Sequence, residues 1–162
     1  MQKEPDMTSL EIQLKNIFTQ YHAPKERYRH VAFSSKDESE LNELATTLPN
    51  VLPNYTVWDG NQPTENAPPA ECSRFDFIQQ TFNSDLAGLI ILQPDYWTRY
   101  WSHLDKQAFW AALSTRHGGH NVVVVLAENH EFHAQNNHYL IPHELPNAAM
   151  TLWVSAKIPL TR

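Results

Sequence analysis

Histidine and cysteine are the residue types in this chain that are typical of metal sites. Of the nine histidines, His117 and His120 stand three residues apart, as do His130 and His133, and Cys72 could supply a further ligand. Both histidine pairs fall in polar segments without a helical pattern, and neither has the His-Glu-x-x-His spacing of a helical metalloprotease site. A solvated, histidine-rich loop is therefore the favoured interpretation, and no metal is predicted.

Serine and aspartate side chains follow two predicted strands and are candidates for contacting a small ligand. The turn Phe33-Ser-Ser-Lys-Asp37 follows the first strand, and Asp59-Gly60 closes the second. Ligands of open parallel sheets bind beyond the carboxyl ends of the strands. The first turn has no glycine, however, so its backbone cannot approach a phosphate as a P-loop or a Gly-x-Gly-x-x-Gly turn does. Standard nucleotide hydrolysis and standard dehydrogenase chemistry are not expected.

Hydrophobic periodicity predicts the elements that must position these residues. An apolar stripe typical of an amphipathic helix covers residues 8–21, and the pattern Ser35-x-x-Glu38 is a capping box for a second helix. Loops are predicted over 60–72 and 128–143. Two more helices are predicted around 75–82 and over 101–115. The predicted strands cover residues 28–33, 55–58, 86–92, 121–126 and 150–158.

The order of these elements predicts the fold class. Strands alternate with helices, and several strands are continuously apolar, which is typical of a parallel sheet covered on both faces. We therefore expect a three-layer α/β fold, a flavodoxin-like doubly wound parallel sheet of about five strands with an extra N-terminal helix. The length of 162 residues fits one domain, 1–162.

Composition excludes several classes of function. The formal net charge is −6, and lysine and arginine form no cluster, so nucleic-acid binding is not expected. The longest apolar run, Val122–Ala127, is too short to cross a membrane. A single cysteine cannot form an intrachain disulfide, and the N-terminus lacks the pattern of a signal peptide, so a cytoplasmic location is predicted. A small ligand or a protein partner is the expected binding target.

Four segments resemble the Toll/interleukin receptor (TIR) domain family over about residues 29–127. The turn Phe33–Asp37 is similar to the family's opening strand and Ser-Ser-x-Asp loop, and Val57–Asp59 is similar to its second strand. The run Ile91–Tyr96 resembles the family's Val-Leu-Ser-Pro-x-Tyr segment. Trp101–Asp105 lies over its Trp-Cys-x-x-Glu motif, with serine in place of the cysteine and aspartate in place of the glutamate.

The resemblance implies a TIR-like core over about 28–158 and a candidate site. In NAD+-consuming members the motif glutamate is the catalytic carboxylate, and Asp105 stands at that position, one methylene shorter. Trp101 would help to shape a nicotinamide pocket, with NAD+ as substrate rather than cofactor. A TIR fold further requires five parallel strands with Asp105 near their carboxyl ends. The implied ligand-binding residues are Ser34, Ser35, Asp37, Trp58, Asp59 and Tyr96.

Three functions remain open at this point. The favoured one is a TIR-like signalling or assembly domain, weakly catalytic or non-catalytic, that binds a protein partner or forms a homo-oligomer. The second is an NAD+ nucleosidase that uses Asp105, although Asp105 could instead only cap a helix beginning at Lys106 and Trp101 could be core. The third is a degenerate Rossmann-like, methyltransferase-type binding module with Asp59 as the acid after strand two. The first helix could pack on the sheet or form a dimer contact.

Overall fold

A computed structural model describes residues 9–21, 30–63, 67–83, 85–115, 120–128, 139–145 and 149–155. These residues form an α/β domain, as the alternating pattern predicted. The helices are α1 Ser9–Tyr21, α2 Glu38–Val51, α3 Arg74–Asn83, α4 Asp95–Thr98 and α5 His103–Thr115. The strands are β1 Val31–Ser35, β2 Thr56–Asp59, β3 Gly88–Leu92, β4 Asn121–Ala127, β5 Leu140–Glu144 and β6 Met150–Ser155.

The sheet is mixed and has six strands in the order β2-β3-β4-β1-β6-β5. The first four are parallel, with Ile90 opposite Val123 and Val31 opposite Val123 on the other side. The flavodoxin-like prediction of about five parallel strands is not confirmed. A flavodoxin-like sheet has the order 2-1-3-4-5, which places β1 beside β2. Here β1 lies between β4 and β6, and only four of the described strands run in parallel.

The two strands at the other edge form an antiparallel pair. β6 is antiparallel to β1 and to β5, with Trp153 opposite Ala32 and Pro142. Residues 140–143 were predicted as the end of the polar loop 128–143, and that prediction is wrong because they lie in β5. The segment has little alternation and contains Pro142, which a strand tolerates at the edge of a sheet, where β5 lies.

Helices cover both faces of the sheet, and each face has its own apolar core. On one face, α1 and α2 pack on the strands, and the buried stripe of α1 includes Leu14 and Phe18. The Phe18 ring meets the ring of Phe33 in β1 edge to face, with centroids 6.1 Å apart. The amphipathic stripe of α1 thus packs against its own domain. On the other face, α3, α4 and α5 surround an aromatic core.

Two helix starts differ from their predicted form. Ser35 is the last residue of β1, so it is Asp37 that caps α2, accepting a hydrogen bond of 2.9 Å from the Ser39 amide. At α5, Ser102 accepts a 3.1 Å hydrogen bond from the Asp105 amide. Asp105 therefore lies inside the first turn and is not the cap of a helix starting at Lys106. Several short polar residues precede each of these helices, and the sequence pattern alone does not show which of them is the N-cap.

No helix in the described ranges is long and apolar enough to span a membrane. The cytoplasmic location stays a prediction.

Candidate functional site

The carboxyl ends of the four parallel strands lie at one edge of the sheet, and their turns are tied together there. The turns after β2, β3 and β4 each donate a backbone N–H to a carbonyl of a neighbouring strand, so the edge is ordered by main-chain contacts. The three bonds run from Gly60 to Leu92 at 2.8 Å, from Gln93 to Val125 at 3.2 Å, and from Glu128 to Ser35 at 3.0 Å.

A polar pocket of about 150 Å³ opens at this edge, between α2 and the ends of β2, β3 and β4. Its buried apolar residues come from the strands and the inner side of α2, whereas its polar residues come from the turns and the outer side of α2. Open α/β sheets bind ligands beyond the carboxyl ends of their parallel strands, and this pocket lies there. The lining residues are Leu41, Asn42, Ala45, Asp59, Asn61, Gln62, Leu92, Gln93 and Val125.

Gln93, which lines the pocket, and Gly60 bring the turns after β2 and β3 close together. Gln93 has a φ of +53°, a left-handed conformation that costs a residue with a Cβ about 1–2 kcal/mol. Gly60 packs so closely on it that a Cβ there would overlap the Gln93 carbonyl oxygen and stand 2.8 Å from Cβ of Tyr96. The backbones of the two turns approach each other more closely than any other residue at position 60 would permit.

The three predicted ligand-binding residues at the end of β1 and just beyond it form hydrogen bonds within the domain. Ser34 is fully buried, and its Oγ accepts a 2.7 Å hydrogen bond from the Trp153 indole. Ser35, also buried, donates through Oγ to the Ala149 carbonyl at 3.2 Å and accepts from the Asp37 amide at 3.0 Å. The pKa of Asp37 is lowered mainly by the hydrogen bond from the Ser39 hydroxyl and, to a smaller extent, by the bond from the Ser39 amide. Asp37 therefore stays ionised as the cap of α2.

The predicted residues after β2 and β3 divide between the core and the pocket. Trp58 is buried among aromatic rings, with Phe77 at 6.0 Å, and does not line the pocket. Asp59 does line it, and one carboxylate oxygen accepts a 2.8 Å hydrogen bond from the Asn61 amide. Tyr96 is half-buried and packs edge to face on Trp97, with ring centroids 5.1 Å apart.

The two predicted catalytic residues lie at the start of α5, away from the pocket lining. Asp105 forms an ion pair with Arg74 at the start of α3, with Nε and Oδ1 3.2 Å apart. Trp101 packs edge to face on Phe77 and Phe109, at 5.5 and 6.4 Å between centroids. Its indole N–H is buried and has no hydrogen-bond partner among the described residues. The helices α3 and α5, which carry Arg74 and Asp105, follow the parallel strands β2 and β3. The start of α5, with Asp105, therefore lies on the carboxyl side of the sheet.

The structure thus brings only one predicted site residue, Asp59, into the pocket. The rule that ligands bind beyond the carboxyl ends of parallel strands points to the turns after β2 and β3, which include Gln62 and Gln93, but it does not point to Asn42 on α2. No signal in the sequence distinguishes Asn42 from other polar residues on the outside of a helix, because its role depends on which strands α2 covers.

The cysteine and histidine candidates show no site in the described part of the chain. Burial, and next the carboxylate of Asp76, raise the pKa of the Cys72 thiol, so little nucleophilic thiolate is present near neutral pH. His120 is buried, with Nε2 2.6 Å from the Thr81 carbonyl oxygen, and makes a structural contact. His117, His130 and His133 lie outside the described residues. Within the described ranges, histidine, cysteine, aspartate and glutamate form no group able to hold a metal ion.

No protein-family model, no curated protein and no solved structure gives a significant match to this chain. The function is therefore inferred from the geometry.

Proposed function

We propose that this chain is an assembly domain, as the TIR resemblance implies, and that it associates with a second copy of itself through one exposed apolar corner. Four of the described strands run in parallel, so the strand count does not by itself support a TIR fold. The support for assembly therefore comes from the surface of the domain.

The observation that carries the proposal is a group of large apolar side chains exposed at the starts of α3 and α5. Tyr100 is 83% exposed, Leu104 74% and Phe75 61%, which makes them the most exposed large apolar residues in the described chain. The ion pair between Arg74 and Asp105 joins the two helix starts. Phe75 follows Arg74 and Leu104 precedes Asp105 in the chain, so the backbones of both residues lie near this ion pair. We call Phe75, Tyr100 and Leu104 the apolar corner.

The apolar corner rests on a rigid base. Phe77 packs against Trp97, Trp101 and Phe109 with ring centroids 5.5–5.6 Å apart, in the core under α3 and α5. Apolar side chains that are held in place before binding lose little conformational entropy when they are covered. Exposed aromatic residues on such a base are typical of the centre of a protein interface.

A cation over the tyrosine rings favours a second copy as the partner. The Arg99 guanidinium lies 5.0 Å from the ring centroid of Tyr100 and 5.9 Å from that of Tyr96. Tyrosine and arginine are both enriched at interface hot spots. In a two-fold dimer the same patch contacts itself, so an arginine and an exposed tyrosine on one patch can pair reciprocally across the axis.

The test is the oligomeric state of the purified chain by sedimentation equilibrium. We expect a concentration-dependent dimer, and we expect Leu104→Lys to raise its dissociation constant at least about tenfold because a charge would be buried at the contact. Ile12→Lys is the matched control, since Ile12 is also an exposed apolar helix residue, at 47%, but lies on α1 over the opposite face. A wild type that stays monomeric at the highest soluble concentration, or equal effects of the two variants, would contradict the proposal.

One observation favours the NAD+ nucleosidase alternative enough to warrant its own test. Trp101 and Asp105 lie at the same helix start, and the Asp105 side chain is 39% exposed, so a ligand can reach it. We expect no NAD+ turnover above that of Asp105→Ala, because Arg74 already engages this carboxylate. Nicotinamide release, measured by chromatography, checks this for the wild type, Asp105→Ala and Asp105→Glu. Turnover that alanine abolishes and glutamate raises would instead establish a weakened TIR-type active site.

A further inference from the structure

The pocket at the carboxyl edge lies apart from the apolar corner and has a chemistry of its own. None of its lining residues in the described chain is lysine or arginine, and no glycine-rich turn presents its amides there. A phosphate would lack a charge partner and would meet the carboxylate of Asp59. The pocket is therefore unsuited to a phosphate group and suited to an uncharged ligand.

Carboxamides dominate the polar part of the lining. Asn42, Asn61, Gln62 and Gln93 each carry one acceptor oxygen and a two-proton donor group, and the Asp59 carboxylate adds acceptors. A ligand that satisfies them must present donors and acceptors side by side. The edge of a nucleobase does so.

The apolar part of the lining suits the face of a flat ring. Leu41, Leu92 and Val125 are buried residues at the inner side of the pocket, from α2, β3 and β4. A cavity of about 150 Å³ holds one benzene ring when it is closed. This open pocket of about 150 Å³ can therefore seat one ring system and leave any attached group in solvent.

We propose that this pocket binds an adenine ring, presented as the free base or as a nucleoside without phosphate. Asparagine and glutamine pair with the adjacent amino group and ring nitrogen of adenine, and a carboxylate accepts from an exocyclic amine. The lining contains no arginine or lysine, the residues that read the two major-groove acceptors of guanine. This inference does not depend on the proposed assembly function, because its residues and the apolar corner are different.

Adenosine titrated into ¹⁵N-labelled protein tests the proposal, with inosine and adenosine monophosphate as comparison ligands. We expect a dissociation constant on the order of 0.1–1 mM and amide shift changes at Leu92, Gln93 and Val125. Inosine should bind at least about fivefold more weakly because it lacks the exocyclic amine. Adenosine monophosphate should bind no more tightly than adenosine, because the lining offers its phosphate no cation.

Variants locate the binding site without disturbing the fold. Asn42→Ala changes an exposed residue of α2 and should weaken adenosine binding at least about fivefold, whereas Asn16→Ala, an exposed change on α1, should leave it unaltered. Asp59→Asn should bring the affinities for adenosine and its monophosphate closer together, while an oxygen remains to accept from Asn61. The proposal is overturned by a lack of saturation at about 10 mM adenosine. It is also overturned if Asn42→Ala and Asn16→Ala behave alike, or if inosine binds as well as adenosine.

Discussion

Gly60→Ala is expected to lower the free energy of unfolding by about 3 kcal/mol, which corresponds to a fall of about 6–12 °C in Tm for a chain of this length. The added methyl group would overlap the carbonyl oxygen of Gln93 and stand 2.8 Å from Cβ of Tyr96. The carbonyl belongs to a backbone held by the hydrogen bond from Gln93 to Val125. No rotamer change can relieve that overlap, so the turns after β2 and β3 must separate.

Urea unfolding measures this effect, with an unchanged m value showing that only stability has altered. Asn61→Ala is the matched control, because it adds no atoms in the same turn and Asn61 is exposed. Its free energy of unfolding should stay within about 0.5 kcal/mol of the wild type. A Gly60→Ala midpoint equally close to the wild type would show that the two turns do not pack as described.

The helices and strands of this fold were predictable where burial produces a recognisable hydrophobic pattern in the local sequence. β4 contains four consecutive valines and is buried on both faces, so its pattern suffices to predict a central strand. β5 has no such pattern, because the sequence of Leu140–Glu144 contains Pro142 and no long apolar run, and the alternate burial of its side chains shows only in the folded sheet. α4 is a single turn, too short for a periodicity to be visible.

The order of the strands could not be predicted, because it depends on contacts between distant residues. β1 is a short buried strand, and nothing in Val-Ala-Phe-Ser-Ser specifies β4 and β6 as its neighbours rather than β2. The hydrogen bond from Trp153 to Ser34 helps to join β6 to β1 across 119 residues. Serines after a strand resemble a ligand-binding turn in sequence, although here they complete the core.

The candidate site was predictable only in part, for the same reason. Asp59 and Gln93 follow apolar strands, so their place at the carboxyl edge follows from the parallel arrangement alone. Asn42 enters the pocket because α2 packs over β4, a contact that depends on the strand order. Asp105 has its ion pair because α3 and α5 are neighbours on one face, which periodicity does not show.

Trp97→Ala is expected to destabilise the domain by about 3–5 kcal/mol and to disrupt the base of the apolar corner. Trp97 is 1% exposed and packs between Phe77, at 5.5 Å, and Trp58, at 6.3 Å between ring centroids. Its indole N–H donates a 2.7 Å hydrogen bond to the buried Pro68 carbonyl, which alanine would leave without a partner. The loss of the large ring and the loss of the hydrogen bond both lower the free energy of unfolding.

Tyr100→Ala is the matched comparison, because Tyr100 lies three residues further along and is 83% exposed. It should change stability by less than about 0.5 kcal/mol and yet weaken self-association, since it removes an exposed ring of the apolar corner. Trp97→Phe, which keeps a ring but not the N–H donor, should fall between alanine and the wild type in stability. Urea unfolding and sedimentation on the same samples separate the two effects. Equal stability of Trp97→Ala and Tyr100→Ala would contradict the packing of Trp97 in the core, because the removal of a buried ring destabilises a protein far more than the removal of an exposed one.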